Sequence, residues 1–457
     1  MSKIVLIGAN HAGTAAANTI LDHYPENQLT IFDSNSNISY LGCGTALWVG
    51  RQINNPDGLF YCSKDVFVSK HAAVYMETEV TRIDFNEKLV YATEKNGNTI
   101  TEPYDKLILA TGSRPVTPDI PGIDLKGVEY VKLFQDGQKI DRALGDPSIK
   151  NVAVIGAGYI GVEIAEAVHR RGKKTMLFET ADTCLSGYYD EWFSYDMDRV
   201  LESNGIELHY GEKVEQIKPD MTGLSRSGYP DSKDKVGYIV TNKGEYQADM
   251  VILAMGFRPC TDLGRCNLAS MPNGAYQVNL NQETNVPDVY AIGDCASVYS
   301  NALQSSAYIA LATNAVRSGI VAGNNVCGNP LKSIGVQGSN GISIFGYKMV
   351  STGLNMKAAQ KAGFHPVYTE FEDLQKPAFI EENNNKVKLR IVYDERTRRV
   401  LGAQMASWQD ISMGIHMFSL AIEENVTIDK LKLLDIFFLP HFNQPYNYIT
   451  MAALSAK

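Results

Sequence analysis

Apolar residues in this chain come in short runs that stop abruptly at glycine. The runs Lys3–Ile7 and Asn151–Ile155 each lead into a glycine-bearing turn and then into a stretch with helical spacing, residues 14–21 and 162–170. Short apolar runs bounded by turn residues read as buried strands, and the longer periodic stretches as helices. Further strands are predicted at Gln28–Phe32 and residues 107–110, 175–178, 250–255 and 289–294, the last ending in Gly293-Asp294. Beyond about Cys327 the glycine turns cease. Strands are predicted there at 343–351, 386–393 and 400–405, followed by helices at 411–424 and 428–434, and the polar stretch 220–235 reads as a surface hairpin loop. The pattern predicts an α/β protein with two Rossmann-like dinucleotide-binding units and a mixed α and β segment at the C-terminal end.

The two glycine turns carry the first chemistry. A dinucleotide-binding turn needs a tight bend at its first glycine and a last glycine without Cβ, so that strand and helix pack closely. The helix N-terminus is then free to receive a pyrophosphate. The first turn, Gly8-Ala9-Asn10-His11-Ala12-Gly13, has Asn10 where the middle glycine is usual. The second, Gly156-Ala157-Gly158-Tyr159-Ile160-Gly161, keeps all three glycines. Asp33 ends the next strand 20 residues beyond Gly13, and Glu179 ends its counterpart 18 residues beyond Gly161. Each is placed to accept hydrogen bonds from a ribose. Thr180, Ala181 and Asp182 offer no Arg or Lys to a 2′-phosphate, so NADH is expected rather than NADPH. An electron carrier suited to stand beside NADH is a flavin.

Composition narrows the partners. In 457 residues, 44% hydrophobic and 20% charged, there is room for several ordinary globular cores, and no 18-residue apolar run predicts a membrane span. The formal charge of −9, with no block of Lys and Arg, excludes a surface for nucleic acid. The opening MSKIVLIGAN has no signal-peptide core. Cys43, Cys62, Cys184, Cys260, Cys266, Cys295 and Cys327 form no CxxC pair, so neither a disulfide framework nor a metal site is expected, and a reducing cytoplasm fits.

Five motifs in order, GANHAG, ATGSRP, GAGYIG, GFRP and YAIGD, resemble those of the pyridine nucleotide-disulfide oxidoreductase superfamily over essentially the whole chain. The resemblance implies FAD in the first unit, held by Gly8, Asn10, Gly13, Ala110, Thr111 and Gly112, with Asp33 on the adenosine ribose and Asp294 on the ribityl chain. It also implies a helix over 310–317, counted from Ala310 and Ala312, whose N-terminus points at the flavin. For the second unit it implies NADH on Gly156, Gly158, Ile160, Gly161 and Glu179, with Tyr159 covering the flavin until NADH displaces it and Glu163 near the carboxamide. The implied domains are 1–114 and 254–327 for FAD, 115–253 for NADH, and 328–457 for a dimer interface. The apolar run 435–442 fits such an interface, because it is costly to expose. His441 in that run reads either as an interface residue or as an acid offered to the partner chain.

Ile38-Ser39-Tyr40-Leu41-Gly42-Cys43-Gly44 resembles the branch with a single redox cysteine, whose members include NADH oxidases, NADH peroxidases and coenzyme A-disulfide reductases. Trp48 stands where a CxxxxC pair would need its second cysteine. Cys43 is therefore expected to work alone as a thiolate cycling through sulfenic acid. His11, at the start of the first helix, is expected to orient or protonate an oxygen intermediate. FFLPHF, in place of a tyrosine-containing segment, disfavours the coenzyme A reductases. SYLGCG, FFLPHFNQPYNY and MAALSAK resemble the branch's water-forming oxidases, which pass four electrons from NADH to O2. A peroxidase using H2O2 and a flavin-bound NADH sensor stay open as alternatives.

Overall fold

The computed structural model describes residues 1–220 and 234–457. Most of the hairpin loop expected at 220–235 lies outside them. Strand β1 (Lys3–Ile7) exposes only its first residue and is followed by helix α1 (His11–His23) and strand β2 (Gln28–Phe32). These strands occupy the centre of a five-stranded sheet in the order Val289–Ala291, Lys106–Leu109, β1, β2, Ala73–Tyr75, all parallel. Both faces are covered, which is why the strands are apolar throughout rather than alternating.

A second sheet repeats the plan. Strand β3 (Asn151–Ile155), helix α2 (Tyr159–Arg170) and strand β4 (Lys174–Glu179) sit in the order Glu207–Tyr210, β4, β3, Met250–Leu253, Val128–Tyr130, again all parallel. The first sheet takes strands from both before and after this unit. The chain crosses between the two along an antiparallel ribbon in which Ser113–Pro115 pairs with Phe257–Pro259. Returning to the first unit, it builds helix α3 (Ala312–Val326). Two glycines of α3 allow it to lie against α1, since a Cβ on Gly319 would stand 2.3 Å from the Ala12 carbonyl oxygen and one on Gly323 2.8 Å from the Thr19 side chain.

The C-terminal third is a five-stranded antiparallel sheet, Asn340–Ile344, Tyr347–Gly353, Val400–Ser407, Lys386–Asp394, Pro366–Leu374, packed on helix Ser412–Glu423. The single strand expected over 343–351 is in fact a hairpin. Phe345 and Gly346 both have positive φ (48° and 90°), the geometry of the two-residue turn that matches strand twist. The edge strand Pro366–Leu374 was not expected, because its half-buried, polar-rich sequence lacks a clear apolar face. Helix Ile428–Leu431 is shorter than the 428–434 expected, and Leu433 beyond it is 90% exposed. Strand Met250–Leu253 also stops before residue 255.

This sheet is seated on the second unit by buried charge. Asp190 takes Arg390 Nη1 at 2.9 Å and Gln404 Nε2 at 2.7 Å, and Lys388 pairs with Asp196. Leaving either charge alone in such a place is costly, so the seam holds a fixed geometry. In the run 435–442 Phe437 is 65% exposed, and Phe438, Leu439 and Phe442 are exposed with it.

Candidate active site

In the first turn Gly8 has φ +95°, and a Cβ there would lie 2.3 Å from the Ala110 carbonyl oxygen. A Cβ on Gly13 would lie 1.9 Å from the Gly8 carbonyl oxygen. Both glycines are therefore dictated by the backbone. Asn10 is not so constrained, since its φ of −85° suits any residue, and it is exposed. Asp33 Oδ2 accepts the Ala9 N–H at 2.7 Å, and its Oδ1 accepts that of Asn35 at 2.7 Å. Burial raises its carboxyl above the usual range, and these two bonds pull it back. Ala110 backs onto Gly8 and Gly13, Thr111 donates to the Cys260 carbonyl at 2.5 Å, and Gly112 has φ +68°.

Asp294 lies in the helical turn Gly293–Cys295, whose first amide is bonded to Ser318 of α3. Its Oδ2 accepts from Ser113 Oγ at 2.7 Å and from Lys132 Nζ at 3.3 Å. Lys132 also donates to Ser113 at 2.9 Å and stands 4.6 Å above the Phe257 ring. Sequence reading missed Ser113 and Lys132, because neither has a motif of its own and Lys132 arrives from a separate segment. The helix expected from Ala310 begins at Ala312, because Leu311 is extended (φ −136°, ψ 141°) and serves as its cap. α1, α2 and α3 all begin without a side-chain cap, leaving their first amides to an anion.

His11 opens α1. Its Nδ1 lies 3.0 Å from the Tyr61 hydroxyl, and the two rings are nearly parallel. Burial lowers its pKa, the Asp294 carboxylate opposes this, and Lys132 adds to it. The neutral form of His11 is thus favoured, and the ring shares a neighbourhood with Asp294 and Lys132.

Cys43 sits in the turn Gly42–Gly44 just before helix Thr45–Val49. A Cβ on Gly44 would press 2.2 Å from Leu59, and Thr45 Oγ1 ties the turn down through the Gly42 carbonyl at 2.7 Å. Trp48 is buried against Phe134. Cys43 is exposed in the single chain, and its thiol feels opposing influences. Partial desolvation of the sulfur pushes the thiol up, the Glu163 carboxylate adds to that, and backbone amides of the turn pull partly back.

The second turn repeats the first. Gly156 has φ +101°, with a Cβ 2.5 Å from the Ala254 carbonyl oxygen, and a Cβ on Gly161 would lie 1.7 Å from that of Gly156. A Cβ on Gly158 would meet nothing within 4 Å, the open space a ligand backbone can enter. Glu179 Oε2 accepts the Ala157 N–H at 2.8 Å, and its Oε1 accepts those of Thr180 and Ala181. Lys243, remote in sequence, reaches this end of the sheet, but its ammonium is bonded to the Tyr210 carbonyl at 2.7 Å.

Tyr159 is half-buried, with its hydroxyl 2.8 Å from that of Tyr189 and bonded to Asn340 of the C-terminal sheet. Ile160 packs into the core beside it. One turn on, Glu163 faces the same cavity as Cys43, and burial with the nearby Glu166 raises its pKa to about 7. The structure thus brings Cys43 to Glu163, and His11 to Asp294.

Comparison with known proteins agrees with this geometry. Residues 2–319 match the pyridine nucleotide-disulphide oxidoreductase family model, and residues 341–447 match that family's dimerisation domain. The chain is 56% identical to an NADH oxidase of Lactococcus lactis subsp. cremoris, with all of both chains covered. It is 53% identical to an NADH oxidase of Streptococcus pyogenes, again over the whole of both. The solved water-forming NADH oxidase from Lactobacillus brevis bound to NADH superposes with a TM-score of 0.94 at 35% identity, covering all of this chain and 98% of that one. Two cradles of one design and these matches lead to one conclusion: the chain belongs to the pyridine nucleotide-disulphide oxidoreductase family.

Proposed function

We propose that this protein oxidises NADH and reduces O2 to water, using FAD and the single thiol of Cys43. The observation that carries the reading is the placement of Cys43. It lines one cavity with Glu163 of the second unit's helix α2, with buried Trp48 where a disulfide partner would stand. Full-length likeness to NADH oxidases supports it.

In this reading residues 1–114 and 254–327 hold FAD, 115–253 hold NADH, and 328–457 form the homodimer interface, which would cover exposed Phe437, Phe438, Leu439 and Phe442. Gly8, Asn10 and Gly13 admit the flavin pyrophosphate at the start of α1, with Ala110, Thr111 and Gly112 closing the turn. Asp33 holds the adenosine ribose and Asp294 the ribityl hydroxyls, with Ser113 and Lys132 fixing the Asp294 carboxylate. α3 starts at Ala312, with Ala310 just before it, and its uncapped positive end would stabilise negative charge on a reduced flavin ring held there. Gly156, Gly158, Ile160 and Gly161 receive the NADH pyrophosphate, and Glu179 holds its ribose while rejecting a 2′-phosphate. Tyr159 gates the nicotinamide pocket, and Glu163 borders it.

When bound, FAD supplies hydride acceptance from NADH and electron transfer to oxygen. Cys43 does the second half of the work. Its sulfur attacks hydrogen peroxide, forming an S–O bond as the O–O bond breaks, and the resulting sulfenic acid is returned to the thiol by a second NADH with loss of water. His11, neutral and held by Tyr61, offers an N–H to an oxygen species at the start of α1. The seven cysteines are all unpaired, which fits a cytoplasmic site. Among the described residues no helix is long and apolar enough to cross a membrane.

Oxygen-electrode stoichiometry tests the assignment. Two NADH consumed per O2 without peroxide is the expected result. Turnover driven by added peroxide with little oxygen uptake would replace it with a peroxidase, and slow turnover with either acceptor would replace it with a sensor.

A further inference from the structure

Asp33 and Asp294 are the two carboxylates of the proposed FAD site, the reading on which this inference rests. They lie far apart in the chain, Asp33 just after β2 and Asp294 in the turn Gly293–Cys295. One short segment is bonded at both. Residues 132–136 belong to the stretch assigned to NADH, yet Lys132 reaches Asp294 at 3.3 Å, and Gln135 Nε2 reaches Asn35 Oδ1 at 2.8 Å and Ser36 Oγ at 3.1 Å. Asn35 is the residue whose amide Asp33 Oδ1 accepts at 2.7 Å.

The chain between these two contacts is firmly held. Phe134 packs among Tyr40, Trp48 and Phe60, whose ring centroids lie 5.5, 5.3 and 5.0 Å from its own. Asp136 Oδ2 accepts the Lys132 and Leu133 amides at 3.1 and 2.9 Å, fixing the start of helix Phe134–Gly145. Lys132 and Gln135 therefore act from a common anchor.

The orientation of the Gln135 amide follows from its neighbours. Asn35 Oδ1 already accepts the Ser36 amide at 2.8 Å, so it is an oxygen, and the Gln135 atom that faces it is the NH2 nitrogen. The Gln135 oxygen is left sealed from solvent with no hydrogen-bond partner among the described residues. Stranding an acceptor in this way destabilises the chain, and a methionine of similar length would avoid it. The cost marks Gln135 as kept for its contact with Asn35 rather than for packing.

We propose that Gln135 is a positioning residue for the flavin nucleotide: it holds Asn35, and through it Asp33, from the same anchor that holds Asp294 through Lys132. The two carboxylates are thereby set at one spacing before FAD arrives, so less ordering opposes its retention. A segment from outside the first unit thus completes that unit's ligand site.

The test reads flavin retention, not turnover. Holoenzyme is diluted, and FAD release is followed by the rise in flavin fluorescence. Gln135→Met, which keeps the length and removes the donor, should release FAD about fivefold faster than wild type, the worth of roughly one hydrogen bond. Gln135→Lys, whose ammonium can still donate to Asn35, should restore slow release. In an Asn35→Ala background Gln135→Met should add little, because the route through Asn35 is already cut. A Gln135→Met enzyme that keeps FAD as long as wild type overturns the proposal. So does a further acceleration of about fivefold in the Asn35→Ala background, or a Gln135→Lys variant as leaky as Gln135→Met, which would mark a packing contact only. Failure of the FAD reading shows separately, as purified wild-type protein that carries no FAD.

Discussion

The two dinucleotide units obey one set of backbone rules and part at the middle of their turns. Gly8 and Gly156 both have φ near +100°, and Gly13 and Gly161 both press onto the carbonyl of that first glycine. In each, an acid at the end of the next strand accepts the amide that follows the first glycine, at 2.7 Å for Asp33 and 2.8 Å for Glu179. The middle residue is extended in both, φ −85° at Asn10 and −75° at Gly158. The first and last glycines are thus requirements of the fold, whereas the middle one is a matter of how closely a ligand must approach. After it, one unit places His11 beside Tyr61 and the other places Tyr159 against Tyr189 and Asn340.

The strongest way to break this comparison is to add a Cβ where the fold forbids it. Gly8→Ala and Gly156→Ala should each cost about 3 kcal/mol or more, from positive φ and a carbonyl clash. Gly8→Ala should lower flavin content, while Gly156→Ala should keep flavin and lose rapid reduction by NADH. Flavin absorbance per chain and anaerobic stopped-flow separate the two. Next comes Glu179→Ala, which strands three amides and a ribose. The KM for NADH should rise about tenfold to a hundredfold with kcat little changed, and preference over NADPH should shrink. The gentlest probe is Asn10→Gly. With φ at −85°, glycine only adds chain entropy, so stability should fall by about 0.5–1 kcal/mol with flavin retained, read from thermal unfolding and absorbance. Loss of flavin in that variant would show that the asparagine side chain holds the ligand.

How much of this was legible follows from where the information lies along the chain. Lys3–Ile7, Gln28–Phe32 and Asn151–Ile155 were read to the residue, because each is a short apolar run ending at turn or acid residues that themselves carry meaning. The Phe345-Gly346 turn was missed because an apolar residue at positive φ gives no turn signal, and it merged two strands into one. Lys132, Ser113 and Asn340 were invisible for another reason. Their roles arise from partners 162, 181 and 181 residues away, Asp294, Asp294 and Tyr159. The direction of the Cys43 shift also needed three dimensions, since Glu163, 120 residues later in the chain, adds to the partial desolvation that raises it.

The central claim, that Cys43 alone carries out the second two-electron step, is tested most directly by the product of Cys43→Ser. Oxygen uptake, NADH consumption and peroxide are measured together on the flavin-loaded variant. The account predicts one NADH and one H2O2 per O2, against two NADH and no peroxide for wild type. A Cys43→Ser enzyme that still consumes two NADH per O2 and releases only water would contradict it.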